Sequence, residues 1–230
     1  MARLLVHVEG QTEESFVNEI LGGYLKGKGY ESVSARLIGN ARLRSRRGGI
    51  RGWPSARRDI VNHLREDRPC TATTMVDFYR LPQGGEGAWP GRAKAVGVQA
   101  LHKASCVEDA LREDLAHHLG ASFDPRRFVP FVVVHEFEGL LFSDCAAFAG
   151  AIGRPELESQ FQEIRDEFST PEDINDSADE HPSKRVEDLV PGYEKPFLGT
   201  LAVLEIGLDR IRAECPHFSR WLERLESLAV

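Results

Sequence analysis

Phe128-Val129-Pro130-Phe131-Val132-Val133-Val134 is a continuous apolar run of strand length. A strand with one wet face alternates apolar and polar residues, whereas a run apolar throughout is typical of a strand buried on both faces. That requirement points to a sheet sandwiched between helices, and other stretches fit beside it. Leu4-Leu5-Val6-His7-Val8 is an apolar run of strand length, Cys70 to Val76 is rich in β-favouring residues, and Ser32 to Ile38 alternates. Helical spacing separates them, over Ser15 to Leu25, Arg57 to Glu66, and two pieces at Ala95 to Ala104 and Val107 to Leu119. The pattern predicts an α/β fold with a mostly parallel sheet flanked by helices.

Three of these strands deliver acids at their carboxyl ends. Leu4 to Val8 runs into Glu9 and Gly10, then into Gln11-Thr12-Glu13-Glu14, where Thr12 reads as a helix N-cap and the glutamates as first-turn residues that suit the helix dipole. Cys70 to Val76 ends in Asp77-Phe78-Tyr79, and the third run leads into His135-Glu136-Phe137-Glu138. While the chain stays extended, side chains alternate, so Glu136 and Glu138 share a side and His135 faces away as a packed or hydrogen-bonded residue. Open α/β sheets place ligands beyond the carboxyl ends of their strands, so neighbouring strands would bring Glu9, Glu13, Asp77, Glu136 and Glu138 into one crevice. So many acids cannot crowd together without a positive partner. An oxygen-rich, imidazole-poor set suits one or two magnesium or manganese ions, which support phosphoryl transfer, and Lys184 or Lys195 can add positive charge at the phosphate.

Other chemistries lack their residues. Gly22 to Lys28 imitates a phosphate-binding loop, but Gly29 stands where serine or threonine must hold magnesium, and a helix, not a strand, precedes it. His135-Glu136 has no second histidine at helical spacing, no Gly-x-Ser-x-Gly elbow is present, and Cys70, Cys106, Cys145 and Cys215 are too far apart to pair as a zinc or redox motif.

A net charge of -7 over 230 residues argues against coating nucleic acid through overall basicity. Its distribution is uneven, because Arg36, Arg42, Arg44, Arg46, Arg47, Arg51, Arg57 and Arg58 are uninterrupted by any acid. Guanidinium forks pair with phosphates, so Arg42, Arg44, Arg46, Arg47 and Arg51, with Lys195, are candidate nucleic-acid contacts; a solvated loop facing the acidic remainder is the other reading. No apolar run reaches the length of a membrane span and the first residues lack a secretory signal, so a cytoplasmic protein without membrane contact is expected.

Beyond Asp144 the pattern turns helical, over Ala146 to Ile152, Glu156 to Phe168, Leu198 to Ala213 and Phe218 to Leu228, with a long polar loop from Ser169 to Pro196. The organisation expected is a core over 1–144 and a helical extension over 145–230 packed on it, or one continuous domain.

Taken together, Val8-Glu9-Gly10-Gln11-Thr12-Glu13, Val76-Asp77-Phe78-Tyr79 and His135-Glu136-Phe137-Glu138-Gly139-Leu140-Leu141-Phe142 resemble the TOPRIM-like proteins grouped with bacterial phage-defence and abortive-infection genes, which are similar to the TOPRIM half of overcoming-lysogenization-defect nucleases. Ser183-Lys184-Arg185, Tyr193-Glu194-Lys195-Pro196 and Ile206-Gly207-Leu208 extend the resemblance over nearly the whole chain. It implies a TOPRIM-like, Rossmann-like core and a metal-dependent nuclease of DNA or RNA, often working beside a separately encoded ATPase of the ABC or AAA type. Glu9 would be metal ligand or general base, Glu13 and Asp77 further ligands, Glu136 and Glu138 the holders of a second ion, and Lys184 the cation at the phosphate. Tyr79 departs from the pattern, standing where the second acid of Asp-x-Asp belongs; a site so altered either draws on Glu136 and Glu138 or serves a non-catalytic subunit that docks to the ATPase. A homo-oligomer is compatible with either.

Overall fold

The computed structural model describes residues 2–38, 50–174, 177 and 180–229. Its sheet contains β1 (Arg3–Val8), β2 (Ser32–Leu37), β3 (Cys70–Asp77), β4 (Phe128–Val129) and β5 (Val132–Val133), in the order β2-β1-β3-β4 with β5 also on β3. Every pairing is parallel; Val8 aligns with Leu37 and Met75, and Asp77 with Val133. The third apolar run is therefore two short strands. Pro130 interrupts it because proline has no N–H for the ladder. The Thr74 hydroxyl bridges the gap, donating to the Phe131 carbonyl at 2.9 Å and lying 3.0 Å from the Phe131 amide nitrogen that donates to it.

Strand order dictates which face each helix covers. The chain leaves β1 toward β2 through α1 (Gln11–Phe16), a π-helical turn (Val17–Leu21) and α2 (Gly22–Gly27), then returns past β1 to β3 through α3 (Trp53–Glu66), and continues to β4 through α4 (Ala100–Leu119). Right-handed crossovers in opposite directions put α1 and α2 on one face and α3 and α4 on the other. Ile60, Leu64, Val107 and Leu111 accordingly pack with Ala72 and Val76 in one core, while Phe16 and Leu21 join Val6, Val8 and Met75 in the second. The expected break between residues 104 and 107 is absent, and α4 is a single helix.

The C-terminal region is helical: α5 (Cys145–Ala151), α6 (Glu158–Asp166), α7 (Pro182–Leu189), α8 (Thr200–Ile206), α9 (Leu208–Glu214) and α10 (Pro216–Ser227). Two expectations change. The polar stretch from Ser169 to Pro196 contains α7, and the helix expected over Leu198 to Ala213 is divided where Gly207 takes φ 76°, a left-handed geometry that glycine tolerates best. One core joins Leu4, Val6 and Phe16 with Trp221, Leu222 and Leu225, so hydrophobic packing continues across Asp144. Trp221 stacks on Phe131 with ring centroids 4.4 Å apart and donates to Thr73 Oγ1 at 2.9 Å, tying α10 to the sheet. Among the described residues no helix is long and apolar enough to cross a membrane.

Candidate metal centre

β1 and β3 are adjacent, and the chain leaves them in opposite lateral directions, so their carboxyl ends flank the crevice where open α/β sheets take ligands. Glu9 sits at one lip. Gly10, extended at φ -135°, is the N-cap of α1, so Thr12 lies inside the helix instead of capping it. Glu13 folds back and accepts the Gly10 N–H at 3.0 Å, which covers one of the donors a helix start leaves open.

Asp77 closes β3. Its backbone N–H donates to Glu9 Oε2 at 3.4 Å, and its Oδ1 accepts the Phe137 N–H at 2.9 Å. The approach from β5 differs from the alternating strand expected. His135 adopts φ 65°, its carbonyl accepting the Tyr79 N–H at 3.1 Å, and Phe137–Ser143 then coils as a 3-10 helix. A bend and a tight helical turn, not strand alternation, bring Glu136 and Glu138 to Asp77. One carboxylate oxygen from each of Asp77, Glu136 and Glu138 lies within 4.8 Å of the others, and all three residues are buried.

These charges are unequally compensated. Burial pushes Glu9, Glu13 and Glu138 each up to about 7, with neighbouring acids adding to the rise. Asp77 is raised well above the ordinary aspartate range, by burial first and then by Glu9, Glu13, Glu138 and Glu136. Glu136 is the exception. Burial opposes its ionisation too, but Lys195, hydrogen bonds from Ser183 and the His181 imidazole outweigh it and hold the carboxyl below its usual value. Its Oε2 accepts the Ser183 N–H at 3.0 Å and lies 3.0 Å from His181 Nδ1, the same nitrogen that lies 3.3 Å from the Lys184 backbone N–H donating to it. Lys195 Nζ lies 3.6 Å from Glu136 and 3.7 Å from Glu138, and Arg80 Nε is 3.9 Å from Glu9. An open cleft of about 510 Å³ lies over the group, with Glu9, Glu13, Asp77, Glu138, Arg80 and Lys195 in its walls.

The donor set fits a hard divalent cation. It offers carboxylate oxygens without thiols, close enough to share one ion, and their mutual repulsion is what a cation relieves.

The structure thus gathers Glu9, Glu13, Asp77, Glu136 and Glu138, with Lys195 above them. Lys184 is not with them: on α7 its ammonium pairs with Asp188 one turn on, at the surface. Its i,i+4 partner explains the outward direction. Arg42, Arg44, Arg46 and Arg47 lie outside the described residues. Arg51 is exposed, and Arg57 is engaged with Asp114 at 3.1 Å. Arg80 and His181 escaped the sequence reading. Arg80 follows Asp77 by three residues and was legible as a strand-end cation, whereas His181 precedes Pro182 in a stretch that showed no periodicity.

A family profile described as Domain of unknown function (DUF4276) matches residues 8–226, and the chain belongs to that family. No curated protein matches it, and no solved structure does.

Proposed function

We propose that this chain, as a member of the DUF4276 family, is a magnesium- or manganese-dependent phosphodiesterase that cleaves nucleic acid. The observation that carries the reading is the convergence of Asp77, Glu136 and Glu138 oxygens within 4.8 Å beside an open cleft that Asp77 and Glu138 line. Asp77, Glu136 and Glu138 would hold the ion, which when bound polarises a phosphoryl oxygen and lowers the pKa of water. Glu9, pushed up to about 7, exchanges a proton near neutral pH, as a general base or acid must. Arg80 and Lys195 face the cleft and offset charge on the phosphate. The resemblance to TOPRIM-like defence proteins extends this reading to an anti-phage effector with a partner ATPase.

A second reading has its own observation. Tyr79 replaces the second acid of the resembled pattern, and Glu136 already has Lys195, Ser183 and His181 as partners. A regulatory subunit docking to an ATPase would keep such a site without turnover.

Incubation of the purified protein with supercoiled plasmid, linear DNA and total tRNA in magnesium or manganese decides between them. Glu138→Gln and Asp77→Asn are expected to cut at least about 100-fold more slowly than the native chain, the scale of losing one preorganised charge-stabilising group, and chelation should abolish cutting. Undiminished metal-dependent cutting by both variants would overturn the reading. Cutting by none of the proteins, with or without an ATPase encoded alongside, would leave the regulatory subunit.

A further inference from the structure

Two neighbouring aromatic residues after β3 are treated differently. Phe78 is 1% exposed, with the Arg92 guanidinium 4.0 Å from its ring centroid, whereas Tyr79 is 36% exposed. Tyr79 is nevertheless held in place. Its N–H is bonded to the His135 carbonyl, and one face of its ring stacks on His181 at 5.1 Å and 28°. His181 is anchored in turn to Glu136 Oε2 at 3.0 Å. The acid cluster therefore supports an aromatic shelf at its edge. A second exposed ring follows the cleft wall in sequence: Phe197, 61% exposed, belongs to the turn Lys195–Gly199 whose Lys195 and Pro196 form part of that wall.

Each ring has a cation of the cleft beside it in sequence, Arg80 next to Tyr79 and Lys195 two residues before Phe197. Alternating stacking surfaces and phosphate-neutralising groups is how single-stranded nucleic acid is gripped, because every base has a π face while a duplex hides its bases in the stack. A duplex is held mainly through many phosphate contacts. Here the cleft wall has Arg80 and Lys195 against Glu9, Glu13, Asp77 and Glu138, a poor electrostatic surface for that mode.

Resting on the phosphodiesterase reading, we propose that the substrate enters as a single strand, with bases flanking the scissile phosphate stacked on Tyr79 and Phe197. Tyr79, at the position of the missing acid, then selects substrate in place of binding metal. Phe197 also shares a helical face with Leu201 and Leu204, both exposed, and such a stripe suits a protein partner as well. The test separates the two.

Binding of a labelled 12-nucleotide strand carrying 2-aminopurine, and of a 12-base-pair duplex, is measured by anisotropy in calcium, with gels confirming that the DNA stays intact. The single strand should bind at least about tenfold tighter than the duplex, and Tyr79→Ala and Phe197→Ala should each weaken it about tenfold, the scale of one stacked base. Tyr79→Phe should keep both the affinity and the stacking quench of 2-aminopurine, while Leu204→Ala should change neither. Equal or tighter duplex binding, or native affinity in Tyr79→Ala, would overturn the inference, as would Phe197→Ala and Leu204→Ala changing sedimentation without touching DNA affinity. If Glu138-dependent cutting of duplex plasmid persists through such a result, the phosphodiesterase reading stands and only the single-strand inference fails. If nothing is bound or cut, both fail.

Discussion

Two groups of buried acids differ in their partners, and only one is balanced. Against β5, Glu108 Oε1 accepts the Val132 N–H at 2.8 Å and meets His217 Nε2 at 2.8 Å, while Glu172 accepts the His217 and Phe218 N–H groups at 2.8 and 2.9 Å where α10 begins. Burial raises Glu172 despite these bonds, and works to lower His217, but Glu108 more than offsets it and holds the imidazole above its ordinary value. Every acid there faces donors. At the strand ends, Asp77 finds four carboxylates as its electrostatic neighbours, and only Glu136 has a full set of partners. The contrast teaches that burial alone does not mark a functional carboxylate. The donors around it do: Glu108 and Glu172 are matched by N–H groups and the His217 imidazole, whereas Asp77 has mostly like charges around it, a repulsion that a cation would relieve.

The comparison breaks most visibly at His217. His217→Ala leaves Glu108 buried without its counter-ion, and losing one partner of a buried pair costs about 3–5 kcal/mol. At about 2–4 °C per kcal/mol for a chain of this size, the calorimetric melting temperature should fall on the order of 10 °C. Glu138→Gln should move the other way in metal-free protein at pH 8, gaining on the order of 2 kcal/mol, because a neutral amide takes the place of a carboxylate raised to about 7. Equal signs for the two variants would erase the distinction between the clusters.

A further effect follows from pH. Glu9, Glu13 and Glu138, at about 7 in the folded chain, bind protons there at pH values where the unfolded chain, at about 4.3, has released them. Stability contributed by these groups therefore falls as pH rises through that window, and metal-free protein should melt on the order of 10 °C or more lower at pH 8 than at pH 5. His217, with a raised value, pulls in the same direction. Divalent metal separates the causes. Millimolar manganese should recover most of the loss at pH 8, do little at pH 5, and do little at either pH in Glu138→Gln; a slope indifferent to metal in the native chain would place its origin at His217.

Much of this was legible in residues 4–9 and 70–77, because apolar strands that end in acids carry both the fold and the site in one local pattern. The family resemblance shared that basis. What escaped notice depends on backbone events without a local signature. Thr74 compensating for Pro130, and the φ 65° turn at His135, are tertiary accommodations, and the second replaces the strand alternation by which Glu136 and Glu138 were expected to meet. The choice of Lys195 over Lys184 was equally hidden. Both lie in one polar stretch, and only the placement of α7 turns Lys184 toward Asp188 and leaves Lys195 over the acids.

That placement yields the smallest and sharpest test. Lys195 is a resident cation, 3.6 and 3.7 Å from Glu136 and Glu138, with its side chain 26% exposed. Lys195→Met should cost metal-free protein no more than about 1 kcal/mol at pH 8, since water screens part of the pairing. The same substitution removes a competitor for the carboxylates that would hold the ion. Manganese affinity, read by calorimetry, should therefore rise by about threefold to tenfold, a coupling of roughly 1 kcal/mol, even as nucleic-acid cleavage falls for want of a charge at the phosphate. An unchanged manganese affinity would show that Lys195 and the metal do not share these carboxylates, and the strand-end acids would then lose their claim to differ from the balanced cluster.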